Sequence, residues 1–155
     1  MTDTGARVLG PGRYGLARLR PGDRIVTGTR TVSIADIDAF AALSGDRFAI
    51  HMDADAARRY GFADRVAHGL LVLSLVDGLK NAAPAQFDAI ASLGWDWQFR
   101  APVLAGDTIG AAITVRALTP SSSKPDRGVA TLDFEVTNQR GEIVQTGVNR
   151  LMICR

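Results

Sequence analysis

Two residue types suited to acid–base chemistry stand close together in the stretch SGDRFAIHM, residues 44–52. Asp46 lies five positions before His51, which is one of the two histidines in the chain. A carboxylate and an imidazole can together bind a water molecule, orient it and move its proton. We predict a loop here, where reactive residues commonly lie. The spacing alone leaves a structural alternative open, in which Asp46 caps a turn and His51 makes a structural hydrogen bond.

A second candidate position is His68-Gly69, where the most apolar run of the sequence begins. A helix that starts here would present free N–H groups and the positive end of its dipole. Such a terminus could stabilise a developing oxyanion, for example on a thioester carbonyl. Gly69 would also let helix and sheet pack closely, and the two roles are compatible. His68 itself is expected to be structural rather than catalytic.

Asp77 lies inside the apolar run, and its two interpretations both remain open. A carboxylate is costly there unless it is paired or faces a polar cavity. It could line the site, or it could form an ion pair with an arginine such as Arg100. Trp95 and Trp97 alternate along one strand, so they share a face and either pack together or line a pocket.

The elements that must position these residues can be predicted from local patterns. Ser33 followed by Asp36 has the form of a capping box and predicts a helix that stops at Gly45. Asp53 is expected to cap a short second helix. The run from His68 to about Ala82 predicts a third helix, and because it is apolar on all sides we expect it to be buried.

The remaining segments are β-branched or alternate in polarity, which predicts strands. Residues 24–32 read as an edge strand interrupted by Gly28, and the later strands cover 89–100, 108–118, 128–138 and 142–153. Helices followed by long strands indicate an α+β fold, with an antiparallel sheet wrapped around the apolar helix. One helix cannot cover such a sheet completely, so a leftover apolar face or an exposed edge would favour dimerisation. Residues 1–20 are expected to form a loosely ordered arm before a single domain over residues 21–155.

Composition excludes several function classes. The chain has 155 residues, a net charge of +2, one cysteine and two histidines, so a zinc site is not expected. Its apolar runs are too short for a bilayer span and no secretory signal is visible, which predicts a cytoplasmic protein without a membrane partner. The first thirty residues contain six arginines without interleaved aromatic residues. We therefore interpret them as a solvated arm rather than a nucleic-acid surface.

The run SGD-RFAI-H, the later VAHG and the apolar helix after it resemble the MaoC-like dehydratases, which include the (R)-specific enoyl-CoA hydratases. SIADIDAFAALSGD is similar to the first helix of that family, and FRAPVLAGDTI to its strand–turn–strand unit. The resemblance extends from about Gly22 to the C-terminus.

The resemblance implies a hot-dog fold and a hydro-lyase that acts on acyl thioesters of CoA or carrier protein. It implies no cofactor beyond the CoA of the substrate, and a homodimer or higher homo-oligomer with the site at the interface. The catalytic pair of the family falls on Asp46 and His51, and its backbone donor to the thioester carbonyl falls on Gly69. The expected substrate contacts besides Gly69 are Phe48, His68 and Asp77.

Two positions differ from the common family pattern. Phe48 and Ala49 stand where the family usually has Asn-Pro, and near Asp77 many hydratases carry Ser. The form GD-x-F-x-x-HMD is closer to the hydratase domain of the ring-opening enzyme of the phenylacetate pathway, an oxepin-CoA hydrolase. The expected function is enoyl-thioester hydration or dehydration. The alternatives are hydrolysis of an acyl-CoA thioester or an oxepin-CoA-type substrate, and catalytically silent binding of acyl-CoA.

Overall fold

One long helix packs on a five-stranded antiparallel sheet in the computed structural model, which describes residues 5–155. The strands in chain order are β1 (Gly12–Tyr14), β2 (Arg24–Thr31), β3 (Ala85–Phe87), β4 (Ala89–Phe99), β5 (Thr108–Pro120), β6 (Arg127–Thr137) and β7 (Ile143–Cys154). The helices are α1 (Ile34–Ser44), α2 (Ala49–Met52), α3 (Ala54–Arg59) and α4 (Gly69–Ala82). None of these helices is long and apolar enough to cross a bilayer.

The sheet has the order β2-β5-β6-β7-β4, and every neighbouring pair in it is antiparallel. Strands β5 and β6 alternate strictly between buried and partly exposed residues along their first eight positions. This alternation is what one buried sheet face requires. The core contains Ile113, Leu132 and Phe134 of the sheet together with Val72 and Val76 of α4. The predicted α+β fold and antiparallel sheet are confirmed.

The predicted capping box at the start of α1 is present. The Ser33 side chain accepts a hydrogen bond from the Asp36 N–H, and the Asp36 carboxylate accepts one from the Ser33 N–H. The Ser33 N–H also holds the pKa of Asp36 below its ordinary value. Gly45 ends the helix at φ 81°, a left-handed conformation that glycine adopts without strain. The helix therefore delivers the chain in a fixed direction to Asp46.

The segment before β2 is more ordered than its Gly- and Pro-rich sequence suggested. Residues 1–4 of the predicted loose arm lie outside the described residues. Beyond them, β1 pairs in parallel with β3, and Leu9, Tyr14 and Leu19 are buried. The arm prediction is wrong for this part because its apolar side chains pack into the domain core.

Two other predictions need correction. Residues 44–52 are not a continuous loop, because α2 forms a one-turn helix that contains His51. Helix α4 occupies the predicted position and spans the apolar run, but it is not buried on all sides. Leu71, Val72 and Val76 face the sheet, whereas Leu70 is 60% exposed on the opposite side.

Candidate active site

Asp46 follows the end of α1 and has a different partner at each carboxylate oxygen. Its Oδ1 accepts a hydrogen bond from the Phe48 N–H at 3.2 Å, which closes a tight turn. Its Oδ2 lies 3.9 Å from Nε2 of His51, too far for a direct hydrogen bond. The turn-capping role and the pairing with His51 therefore coexist, because they use different oxygens.

His51 is buried, and the protein backbone fixes which of its nitrogens is available. Its Nδ1 lies 2.7 Å from the carbonyl oxygen of Val66. A carbonyl only accepts hydrogen bonds, so Nδ1 carries a proton and donates it. In the neutral ring Nε2 is then unprotonated and faces the Asp46 carboxylate across the 3.9 Å gap. This is the arrangement of a general base held in one tautomer.

Arg65 contacts the one-turn helix α2 that contains His51. Its Nε donates to the backbone carbonyl of His51, and its terminal nitrogen contacts Asp38 on α1. The side chain thus ties α2 to the helix that leads to Asp46. Sequence reasoning missed Arg65, because a single arginine in an irregular segment carries no pattern that points to a partner 14 or 27 residues away.

His68 connects the two members of the pair. Its ring stacks on the His51 ring with a centroid distance of 4.0 Å and an interplanar angle of 27°. Its Nε2 donates to the backbone carbonyl of Asp46 at 2.9 Å, and the Phe40 ring packs nearby. His68 therefore lies beneath Asp46 and His51 and contacts both.

Gly69 begins α4 directly after His68. Within residues 5–155 the Gly69 N–H has no hydrogen-bond acceptor, as expected for a first-turn amide. A Cβ at this position would come within 2.4 Å of the Phe99 ring, so any other residue here would displace that ring from the start of α4. Both roles predicted for Gly69, a free N–H and close packing, are compatible with this geometry.

These residues share one cleft of about 510 Å³. Its walls are mainly apolar and include Phe62, Leu70 and Phe99, with Arg100 as the cationic lining residue. Phe48 lies at the mouth, 73% exposed, with its ring nearly parallel to that of His51 at a centroid distance of 6.4 Å. A groove of similar volume crosses the opposite face of the sheet, but neither histidine lines it. An apolar cleft with a few convergent polar groups is typical of a small-molecule site.

The structure does not bring Asp77 to this cleft. Its Oδ1 lies 2.7 Å from Nζ of Lys80, one helical turn further on, although the contact is not aligned as a hydrogen bond. The Lys80 side chain is 5% exposed and lies over the Trp95 ring. The suggested partner Arg100 instead donates to Thr146 on β7. Asp77 therefore forms an ion pair, but with a lysine rather than an arginine.

Asp46, His51 and His68 also form a cluster whose ligand atoms lie within 4.8 Å of one another. The two imidazoles stack almost face to face, so their in-plane lone pairs run side by side. A shared metal ion needs lone pairs that converge on one point. The expectation of a site without a metal stays a prediction, and the ring geometry favours proton transfer over metal binding.

Comparison with known proteins assigns the chain to a family. Residues 18–137 match the family described as "MaoC like domain". The chain belongs to this family. It is 40% identical over 110 residues to Protein MaoC of Klebsiella aerogenes, an alignment that covers 70% of this chain and 32% of that protein. It is 34% identical over 113 residues to the (R)-specific enoyl-CoA hydratase of Aeromonas caviae, over 73% of this chain and 80% of the relative.

Solved structures agree with the fold of this MaoC-like domain. A MaoC-like dehydratase from Rhodospirillum rubrum superposes with a TM-score of 0.83 at 31% identity, over 92% of this chain and 97% of that one. A Mycobacterium tuberculosis protein with a double hot-dog fold gives 0.80 at 22% identity, over 94% and 44%, and supports the fold alone. The predicted family and hot-dog fold are confirmed. Three relatives are named as hydratases or dehydratases, which are hydro-lyases.

Some finer predictions are not tested by these comparisons. The chain spans about a third of the length of the Klebsiella protein. The resemblance to an oxepin-CoA hydrolase and the cytoplasmic location stay predictions.

Proposed function

We infer that this MaoC-like domain is an enoyl-thioester hydratase/dehydratase that acts on a 2-enoyl-CoA-type substrate. One observation carries the inference. The Asp46 carboxylate and His51 Nε2 face each other at 3.9 Å in the cleft where the Gly69 N–H has no acceptor among the described residues. Hydration of a conjugated thioester needs a held water and a donor to the carbonyl oxygen, and these groups supply both.

The pair binds the water that adds to the substrate. Two acceptor atoms 3.9 Å apart can both lie about 2.8 Å from one water oxygen. As the water oxygen bonds to C3, the pair takes up a water proton, and a proton is delivered from the pair to C2. The pair therefore returns to its starting protonation state, and the reverse sequence removes water.

Gly69 acts on the other end of the conjugated system. Attack at C3 pushes negative charge onto the thioester oxygen, which gains enolate character. The Gly69 N–H and the positive end of the α4 dipole stabilise this charge more strongly than they stabilise the neutral carbonyl. The reaction moves one water without a redox change, so CoA enters only as part of the substrate.

The same proposal includes a homodimer. Strand β4 is an edge strand with exposed Ile90, Leu93 and Phe99, and Phe99 also lines the cleft. A second copy paired along β4 would cover these side chains and lie next to the site.

The test is hydration of crotonyl-CoA, followed by loss of the enoyl absorbance. His51→Ala and Asp46→Asn should each lower kcat/KM by about 10²- to 10⁴-fold. Asp55→Asn is a matched control, because this exposed carboxylate lies on α3 and pairs with Arg58 outside the cleft. Wild-type turnover that both site variants retain in full would contradict the proposal.

One observation favours a hydrolase as the second candidate. Phe48 occupies the cleft mouth where the common family pattern has Asn, and its side chain offers no hydrogen bond to an acyl group. Water held by Asp46 and His51 could then attack the thioester carbonyl carbon instead of C3. Release of free thiol without prior loss of a double bond separates hydrolysis from hydration. Binding of acyl-CoA without either reaction would identify a silent binding protein.

A further inference from the structure

Gln145 on β7 is a buried side chain in the cleft that the proposed reaction does not use. Only 2% of the residue is exposed, and it lies beside Gly69. Its Oε1 accepts a hydrogen bond from the indole Nε1–H of Trp97 at 2.8 Å. Its Nε2 donates to the backbone carbonyl of Gly69 at 3.1 Å. The amide thus links strand β4 to the first residue of α4.

The direction of this link is fixed by chemistry. An indole N–H can only donate and a backbone carbonyl can only accept, so Trp97 and Gly69 dictate which end of the Gln145 amide faces which partner. The amide cannot be rotated by 180° without losing both hydrogen bonds. The two hydrogen bonds of Gln145 therefore join β4, β7 and α4 in one fixed arrangement.

The position of the Gly69 backbone depends on contacts from other residues, because glycine has no side chain that could anchor it. Its neighbours are held by backbone contacts, in which the Ala67 N–H donates to Val103 and the Val72 N–H donates to His68. Among the described residues, Gln145 makes the side-chain hydrogen bond to Gly69 itself. A donor to a developing oxyanion must be placed to within about 0.5 Å, so this contact bears on the function of Gly69.

We propose that Trp97 and Gln145 are positioning residues that hold the Gly69 N–H where it meets the thioester oxygen in the transition state. The inference rests on the proposed role of Gly69 in enoyl-thioester hydration. A purely structural role would predict a loss of stability without a specific loss of carbonyl polarisation.

Trp95 supplies a matched control for Trp97. Both rings lie on the same strand, and both meet Phe134 edge-on, at centroid distances of 5.4 and 5.5 Å. Within residues 5–155 the Trp95 indole makes no hydrogen bond, whereas Trp97 donates to Gln145. Replacing either tryptophan by phenylalanine removes similar packing, but only Trp97→Phe removes the donor.

The first measurement is the kinetics of crotonyl-CoA hydration. Trp97→Phe should lower kcat about tenfold with KM within about twofold, and Trp95→Phe should leave both within about twofold. Gln145→Leu should resemble Trp97→Phe, and the double variant should be no worse than Gln145→Leu because the residues act in series. Equal kcat values for Trp97→Phe and Trp95→Phe would overturn the proposal.

The second measurement is the carbonyl stretching frequency of bound butyryl-CoA, a saturated thioester that cannot be hydrated. A hydrogen bond to the thioester oxygen lowers this frequency. We expect the lowering in wild type and Trp95→Phe, and a smaller lowering in Trp97→Phe and Gln145→Leu. A full lowering in all four proteins would refute the positioning role alone. No binding or no lowering in wild type would refute the role of Gly69, and with it both proposals.

Discussion

The five-stranded sheet has two edge strands, β2 and β4, which differ in how far the chain itself covers them. The chain covers the start of the β2 edge itself, since Val8 bridges to Arg24 in parallel, and further along β2 the register shifts between Val26 and Thr29. The Thr27 hydroxyl accepts the Ala111 N–H inside this irregular stretch. Short, bulged and covered edges resist pairing with another chain.

Strand β4 also has register shifts, between Ala89 and Ala91 and between Ser92 and Gly94, but no other strand within residues 5–155 pairs with its outer edge. Nine of its eleven residues are exposed, including Ile90 and Leu93 at 42% and 43%. Its last residue, Phe99, packs on Gly69 at the start of α4. The difference indicates that the outer edge of β4, rather than that of β2, is available for pairing with a second copy. The end of β4 also forms part of the cleft wall. Any change along β4 should therefore affect assembly, the cleft or both.

The largest expected effect is at the contact between β4 and the cleft. Gly69→Ala would place a methyl group 2.4 Å from the Phe99 ring, which must then swing away and change the wall of the cleft beside the Gly69 N–H. We expect crotonyl-CoA hydration to fall by about 100-fold. Thermal unfolding should change little, because the exposed Phe99 ring can swing away.

Phe99→Ala provides the control for this contact. Combined with Gly69→Ala it removes the clash, so the double variant should regain part of the activity that Gly69→Ala loses. If the double variant is as inactive as Gly69→Ala, the contact between β4 and α4 does not explain the loss.

The next effect is on assembly. Ile90→Lys together with Leu93→Lys places two charges on the open edge, and we expect a dimer of the wild type to dissociate into monomers. Val26→Lys is the matched control on β2, since Val26 is 56% exposed, close to the start of the strand where Val8 bridges to Arg24. Sedimentation equilibrium separates the outcomes. A monomeric wild type, or dissociation by Val26→Lys as well, would contradict the comparison between the edges.

The smallest effect concerns the segment that covers β2. Arg7, through its hydrogen bonds to the carboxylate, holds the pKa of the buried Asp23 below its ordinary value. Asp23→Asn should lower the free energy of unfolding at pH 7 by about 2 kcal/mol, without changing the oligomeric state. Urea unfolding monitored by circular dichroism measures the difference.

The pH dependence of this difference follows from the direction of the pKa. A lowered carboxyl pKa stabilises the folded protein above the unfolded value of about 4, and the stabilisation disappears as the pH falls through the lower folded value. The wild type and Asp23→Asn should thus differ most at neutral pH and converge in acid. An equal difference at pH 7 and pH 3 would show that the Asp23 charge does not contribute.

Local patterns predicted the parts of the molecule that depend on neighbours in sequence. The capping box at Ser33, the end of α1 at Gly45 and the position of α4 are set by residues within one or two helical turns. The Asp77–Lys80 pair has the i, i+3 spacing of a local helical ion pair, so this contact is readable from the sequence, whereas the more distant Arg100 is not a partner of Asp77.

The remainder depends on contacts that no local pattern encodes. The parallel pair of β1 and β3 joins residues more than 70 positions apart, so Gly and Pro in the first segment gave the wrong impression of disorder. Trp97 and Gln145 are 48 positions apart and belong to different strands. Helix α4 was expected to be buried all round, because apolar composition does not distinguish a face against the sheet from a face that the single chain leaves exposed.

The two imidazoles of the cleft are both oriented by backbone oxygens, His51 by the carbonyl of Val66 and His68 by that of Asp46. Every amino acid carries the same carbonyl, so a substitution at Val66 changes the side chain but keeps the acceptor. The orientation of His51 is thereby protected against mutation of its partner, in contrast to a ring held by a carboxylate that one base change could remove. Substitutions at Phe62 or Val66 can then alter the shape of the cleft while the orientation of the His51 ring stays the same. A scaffold of this kind can change which ligands fit the cleft while it keeps the arrangement of Asp46 and His51.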